Sequence, residues 1–581
     1  MTREVAVVCS FGLSCAAGND ATNGGEQQKH EDLNLAEKGQ SGYTIVIAPD
    51  APLPMKFAAE ELQKYLMQIS GARLPVSTNV STALAIGVGE GGVPTGDRER
   101  LHSFLKGRGE DGYIMCSVGK RLVLTGNSPR ATLYAVYHFL EKYLGCGWCV
   151  PGDDIVPRQA TIRLPPLQEA FGPPAFAMRK IAWIYDPNAD TAITQKYGAD
   201  FMQKCNLPRV DWMAKNRFNW VHPAPNGPNV WEQNKSREIF VPEVEKRGLH
   251  LAAGGHTFNT WLPPDRYAKD HPDYWTGGYV CLSHPDVARL MAGNMNQWLD
   301  ENPEVDVVDL WHNDGSGFCH CPKCTPVKAD ASAGEAGAEY AKTYIRFTNQ
   351  VAALVAPRHP KVLVNFLAYS HVTDCPAGAE PLADNVLVGV ALFPRGERQR
   401  TMRPLETSPQ PLDNNLRLQI PAWQKLSKHF YIYEYYTFSN WHEAWKMLKF
   451  WSMVSMIRED IGYFQRIGVN GLSSDLYEVD WAPLNMYAFG RLTWNPQLTT
   501  DEIIADFCRR YYGRASEPMI AYWTLLEDCL RESWNTDTPV NWRDQQRAAL
   551  IEKALSLVAD NAKERYRIHA IKAMHRSYWP E

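Results

Sequence analysis

The chain has 581 residues, 45% of them hydrophobic and 22% charged, with a net charge of −5 and a pI near 6.4. That length is too great for one hydrophobic core and points to about three or four domains, while the composition excludes a disordered or fibrous chain. The mildly acidic balance argues against a nucleic-acid binder relying on broad electrostatic attraction.

The first 40 residues read as an export signal and polar linker. Val5-Ala-Val-Val-Cys-Ser-Phe-Gly-Leu13 is a short apolar stretch behind Arg3, and a Gly/Asn/Gln/Lys tract follows. Cys15 stands where a bacterial lipoprotein carries its lipid, so a secreted, periplasmic or cell-surface lipoprotein is expected; the bland alternative is an ordinary irregular N-terminus. No other stretch offers the ~18 consecutive apolar residues of a membrane span.

Residues 41–165 pattern as an α/β accessory domain. Tyr43-Thr-Ile-Val-Ile-Ala48, Ala83–Val88 and Arg121–Thr125 are strands. Met55–Ile69 is an amphipathic helix closed by Gly71, and Pro129–Tyr143 a second helix. The phrases AAEELQKYLMQISG and SPRATLYAVYHFLEKYLGCGWCVPG resemble the domain that precedes the barrel in α-glucuronidases and β-hexosaminidases. That resemblance implies a domain packed beside a barrel and carrying no chemistry.

Beyond a Pro-rich linker, eight strand-like runs alternate with helical segments over residues 175–495. They are Lys180–Tyr185, Phe218–Val221, Leu249–Ala253, Val305–Leu310, Val362–Leu367, Val386–Ala391, Phe430–Tyr433 and Val469–Leu472. Eight such units predict a (β/α)8 barrel, whose chemistry sits at the C-terminal ends of the strands. Those ends carry Asp186, His222, His256, then His312, Asn313 and Asp314, then Tyr369 and His371, Arg395 and Glu397, Glu434 and Tyr436, and finally Asp475, Tyr477 and Glu478. Histidines, carboxylates and tyrosines at one end make a polar, aromatic-walled bowl suited to a hydroxylated substrate. The 19 Trp and 26 Tyr fit the same picture, since rings in a cleft stack on sugars, although most serve the core. Residues 496–581 are predicted to be a C-terminal helical domain.

The abrupt polar cluster after Val305–Leu310 makes Asp314 the first catalytic candidate. A carboxyl at a strand tip protonates a glycosidic oxygen when a closed site raises its pKa; the structural alternative is that Asp314-Gly315 merely turns the chain. Glu434 is the second carboxyl, either paired with a basic residue or working across the bowl from Asp314, with Asp475 and Glu478 in reserve. His256, His312, Asn313, Tyr369, Arg395, Tyr436 and Glu478 are candidate substrate contacts. Asn313 or Tyr436 is placed to orient a 2-acetamido group, and His256 is equally readable as a buried, satisfied ring.

Cys319, Cys321 and Cys324 form a C-x-C-x2-C array with thiolate spacing for a structural zinc, His320 or His312 being the possible fourth ligand. Reduced, unmetallated thiols are the alternative. A catalytic metal is not expected, because an HExxH signature is absent, and phosphate-binding glycine loops are absent too. The thirteen cysteines are too scattered for a small-domain disulfide framework.

GGHTF, CLSHPDV, the NDG…C-x-C-x2-C loop, YIRFTNQVAALV and LNMYAFGRLTWNP…FCRRYYG together resemble the bacterial domain of unknown function 4838, whose characterised part is glycoside hydrolase family 163. The similarity runs from Ser41 to about residue 530 in order and spacing. It implies a retaining endo-β-N-acetylglucosaminidase-like hydrolase acting on an oligosaccharide or glycoprotein glycan, with no cofactor in catalysis. It assigns no residue roles. Three other classes stay open: a glycan-binding protein with an inactive barrel, a uronic-acid-specific glycosidase using Arg395, and a metal-dependent hydrolase.

Overall fold

The computed structural model describes residues 32–182, 206–223, 236–315, 317–328, 330–393, 403–436, 452–475, 483–535 and 543–576. The export segment and Cys15 lie outside these, as do Asp186, Arg395, Glu397, Tyr477 and Glu478.

The accessory domain begins earlier than Ser41. Strand β1 (Leu33–Ala36) pairs antiparallel with β7 (Ile162–Leu164), tying the two ends of the domain together. A four-residue strand beside a polar tract is too short to announce itself by alternation. Five strands between them, β2 (Thr44–Val46), β3 (Val76–Ser77), β4 (Ala85–Val88), β5 (Tyr113–Val118) and β6 (Arg121–Gly126), join β8 (Gln168–Phe171), which follows β7, in one sheet of order β3-β2-β4-β6-β5-β8. Both expected helices are present. Leu53–Ser70 starts with proline in its first turn and stops at Gly71, whose φ of 84° is the left-handed cap. Pro129–Leu144 is capped by Ser128, which accepts the Ala131 N–H at 3.1 Å.

The barrel is closed and wholly parallel. Strands β9 (Met178–Ala182), β10 (Trp220–His222), β11 (His250–Ala253), β14 (Val307–Asp309), β15 (Leu363–Ala368), β16 (Val386–Ala391), β17 (His429–Glu434) and β18 (Gly471–Asp475) follow one another in chain order, and β18 pairs with β9. Each of the eight predicted runs overlaps a barrel strand, residues 183–185 of the first lying outside the described residues. A hairpin, β12 (Trp275–Thr276) with β13 (Tyr279–Val280), is inserted after β11. Alternation divides each strand between two cores. Ala182, Ala252, Val307, Trp311, Leu367, Leu387, Ala391, Tyr431 and Tyr433 fill the inside of the barrel. Residues of opposite parity, such as Ile432 and Val388, pack outward against the helices. Tyr431 occupies the barrel axis because its neighbours on both sides are glycine. A Cβ on Gly389 would meet the Tyr431 ring at 2.5 Å, and one on Gly471 would meet Tyr431 Cβ at 2.8 Å.

Five helices, Pro483–Trp494, Thr500–Tyr512, Ser516–Asn535, Asp544–Leu557 and Ala562–Arg576, build the C-terminal region. The second opens with a capping box between Thr499 and Glu502. Arg491 holds the buried Glu141 of the accessory domain, with Nη1 donating to Oε2 at 3.0 Å, and Arg567 holds Asp153 at 2.7 and 2.8 Å.

The accessory domain meets the barrel through Asp111. Its carboxylate accepts from Arg130 Nε at 2.8 Å, from Arg179 Nη2 of β9 at 2.6 Å and from Asn219 Nδ2 at 3.0 Å. Burial alone would raise its pKa, but the two guanidiniums reverse this and hold it below the usual carboxylate value. Removing one member of such a network strands the others without water. Asp111→Ala is therefore expected to cost about 3–5 kcal/mol, read as a lower urea midpoint for the joint transition of accessory domain and barrel.

Candidate active site at the C-terminal rim of the barrel

The site is built on a polar floor inside the barrel. Asp309, at the end of β14, is fully buried. Asn365 Nδ2 donates to its Oδ1 at 2.6 Å, and His222 Nε2 lies 3.0 Å from its Oδ2 without the alignment of a hydrogen bond. Asn365 also reaches the Tyr431 hydroxyl at 3.2 Å. Lys180 projects from β9 into the same space, its ammonium 4.8 Å from the Tyr431 ring centre and 5.8 Å from that of Trp311. Burial pulls the Lys180 pKa down to about 8, and the Asp309 charge opposes the shift.

Asp309 also sets the loops above it. Its backbone carbonyl accepts from Thr257 Oγ1 at 2.7 Å and from Trp261 Nε1 at 2.9 Å. Gly254 has φ of +129°, and a Cβ there would stand 2.7 Å from Asp309 Cβ, so the GGHTF turn needs glycine at its first position. His256 bridges to Trp311 across the strand tips.

Asp314 stands on the rim with its side chain 69% exposed. The Tyr369 hydroxyl donates to its Oδ1 at 3.1 Å, the Gly315 N–H at 2.8 Å, and His256 Nε2 lies 3.9 Å away. The His256 ring is fixed by Nδ1 on the His312 carbonyl at 2.6 Å. Its pKa is lowered by burial, against the pull of Asp314. Aromatic rings line the wall in contact with one another: Tyr369 with Phe393 at 5.7 Å, Phe393 with Tyr435 at 5.6 Å, Tyr435 with Tyr433 at 4.7 Å and Tyr433 with Trp311 at 6.3 Å. Asp475 pairs in register with the inward-facing Ala182, so it belongs to the inner face. The Tyr435 hydroxyl is pushed well above its ordinary pKa by burial first, then by Tyr369, Asp475 and Asp314. Glu434 acts on the same hydroxyl in the same direction.

One expected catalytic residue, Glu434, and two expected contacts, Tyr436 and His312, lie off the inner face. Glu434 falls on the same side of β17 as Ile432 and Tyr436, which pack in the outer core, whereas Tyr433 lines the inner one. It accepts the Tyr435 N–H at 3.2 Å and is buried, on the opposite parity of the strand from Tyr433. Tyr436 rests on Phe489, 5.6 Å between ring centres, behind the sheet. His312 is buried outside the bowl, its two nitrogens 2.9 and 3.2 Å from the carbonyls of Asn313 and Tyr369. Asn313 stays half-buried beside Asp314. Arg395 and Glu478 fall outside the described residues.

Cys319, Cys321 and Cys324 do come together, and Cys281 joins them, all four Sγ atoms lying within 4.8 Å of one another. Neither expected histidine is the fourth member: His312 is engaged as above, and His320 is exposed, stacked on Phe318 at 4.3 Å.

Residues 148–524 match the family model described as Domain of unknown function (DUF4838), and residues 29–139 match the Glycosyl hydrolase family 67 N-terminus. No curated protein sequence matches the chain. Among solved structures, the chain resembles "A novel family GH115 4-O-Methyl-alpha-glucuronidase, BtGH115A, with specificity for decorated arabinogalactans", with TM-score 0.61 at 13% identity over 93% of this chain and 72% of that one. It also resembles a "GH138 enzyme targeting pectin rhamnogalacturonan II", with TM-score 0.54 at 13% identity over 92% of this chain and 68% of that one. At that identity the likeness is one of fold.

The histidines beneath the rim make a pH prediction. Burial, with the neighbouring His256, drives His312 down to about 4; burial likewise drives His371 to about 3. Between those values and the unfolded value near ~6.5 the unfolded chain binds more protons, so stability is full above ~6.5 and falls as pH drops toward ~4. A loss on the order of a few kcal/mol is expected over that window, measured by urea titrations at stepped pH. Both ring nitrogens of His371 lack hydrogen-bond partners, so His371→Phe should fold and flatten the slope.

Proposed function

Because the chain belongs to the DUF4838 family, whose model spans residues 148–524, we propose that it is a glycoside hydrolase with Asp314 as its proton donor. The observation that carries this is a carboxyl on the C-terminal rim of a (β/α)8 barrel, oriented by the Tyr369 hydroxyl and the Gly315 N–H over a wall of aromatic rings. A glycosidic oxygen resting against that wall would take the Asp314 proton as its bond to the anomeric carbon breaks. Asp475, a reserve candidate in the sequence, is the carboxyl we assign to the second role in place of Glu434, because it lies on the inner face at the C-terminal end of β18. In a two-carboxylate mechanism it attacks the anomeric carbon or activates water. In a substrate-assisted one the sugar's acetamido carbonyl attacks, with Asn313 placed to orient it.

The resemblance to glycoside hydrolase family 163 supports an N-acetylglucosamine-containing glycan as substrate and retention of configuration. The expected export signal fits a glycan met outside the cytoplasm. A second reading, a uronic-acid glycosidase, rests on Lys180, a buried cation inside the barrel that shares its space with Asp309, Tyr431 and Trp311. The two solved structures named above are described as a glucuronidase and a pectin-targeting enzyme, which agrees with it.

Digestion of a glycan panel, read by mass spectrometry, tests these readings together. Asp314→Asn should reduce kcat/KM by about 10²–10⁴ on every cleaved substrate; unchanged turnover overturns the assignment. Glu434→Gln should retain most activity, and Asp475→Asn should lose it unless the acetamido route operates. Lys180→Met should spare N-acetylglucosaminides and abolish cleavage of uronosides, which separates the two substrate classes.

A further inference from the structure

We propose that Cys281, Cys319, Cys321 and Cys324 bind one zinc ion as a closed tetrathiolate site. Cys281 follows β13 of the hairpin inserted after β11, and the other three lie in the loop that leaves β14 just beyond Asp314. The site thus joins two loops that are distant in sequence, Cys281 and Cys321 being 40 positions apart.

The geometry is that of a metal clip. Zinc–sulfur bonds of ~2.3 Å in a tetrahedron require sulfur–sulfur edges of ~3.8 Å. Cys281 Sγ stands 3.7 Å from Cys321 Sγ and 3.8 Å from Cys324 Sγ. A disulfide would hold two sulfurs at ~2.05 Å, and all four residues are free cysteines. Three of them are buried and the fourth half-buried, so the cluster is shielded from solvent on most sides.

The surroundings suit thiolates. The Ser283 N–H points to Cys324 Sγ at 3.3 Å and the Cys324 N–H to Cys321 Sγ at 3.4 Å. Such donors disperse the charge left when four thiols give up their protons to bind the dication. The Cys321-Pro-Lys-Cys324 turn that presents two of the sulfurs is closed by the Cys324 and Thr325 N–H groups on the Cys321 carbonyl, at 3.0 and 2.9 Å. With four protein ligands the metal has no open position, so its role is structural. Among N, O and S donor sets, four soft thiolates in a tetrahedron select zinc over magnesium, calcium or manganese.

The clip bears on the rim through rings. Phe318, beside Cys319, stacks on His371 at 4.6 Å, and His371 lies 4.6 Å from His312, whose ring stacks on Tyr369, the residue that orients Asp314. The site is defined by its four sulfurs and stands whether or not the chain cleaves glycans.

The test is metal analysis of the full chain, purified under reducing conditions without added metal. Inductively coupled plasma mass spectrometry should find one zinc per chain, released in step with thiol titration by a mercurial. Cys281→Ser should lose the zinc and melt at lower temperature, while Cys375→Ser, outside the cluster, should keep both. Where Cys281→Ser does not fold, wild-type protein grown on cobalt should show the thiolate charge-transfer and tetrahedral ligand-field bands. Protein without metal, a pair of hydrogens missing from the intact mass through a disulfide among these cysteines, or stoichiometric iron in place of zinc would each overturn the proposal.

Discussion

A carboxylate sealed on the axis of a barrel is the constraint around which this molecule is arranged. Asp309 has no exposure to water, so its charge must be met from inside the ring of strands. An unpaired ion there would cost several kcal/mol. His222 from β10, Asn365 from β15 and Lys180 from β9 converge on that space. Because these come from different strands of one arc of the barrel, β9 to β15, meeting the charge ties the register of those strands to one another. The same residue's backbone anchors Thr257 and Trp261, and its Cβ forbids a side chain at Gly254. Floor, register and the first rim loop are one problem with one solution.

Above that floor, the pleat of each strand decides which rim residue meets a substrate. Sequence position brings Glu434, Tyr435 and Tyr436 to the same strand tip, yet only one parity faces the axis. Tyr431, Tyr433 and Tyr435 take it, while Tyr436 packs in the outer core and Glu434 has the opposite parity to Tyr433. The inner parity of β18 offers Asp475 instead. A bowl walled by rings, with Asp314 on its rim and Asp475 on its inner face, is the outcome.

Strand parity also separates what the sequence could disclose from what it could not. The barrel was legible because parallel strands buried on both faces read as continuous apolar runs, Val386–Ala391 being the plainest. Asp314, Tyr369 and His256 were legible because polar residues break out just after such runs. Facing was not legible for Glu434, Tyr436 and His312, since a fully buried strand has no polar face to show which parity is inside. Lys180 and Asp309 were hidden for a related reason: a single charge within an apolar run looks like a strand boundary rather than a floor. Cys281 lies in CLSHPDV, 38 residues before Cys319, and only the fold of the hairpin brings it to the other three.

The rim is held from outside as well as from below. Tyr344, on the long helix Ala333–Val355, hydrogen-bonds the Leu310 carbonyl at the base of the Asp314 loop. His312, Phe318, Tyr340 and His371 stack between that helix and the loop. In the role proposed for Asp314, a loop would have to keep the carboxyl within a fraction of an ångström of its working position. Hydrogen bonds to water would not do this. Buried rings do, because they resist displacement through close packing and carry no charge of their own in the neutral state that burial enforces on His312 and His371. The histidines beneath Asp314 are thus better understood as packing elements whose neutrality keeps the loop in place than as partners in proton transfer.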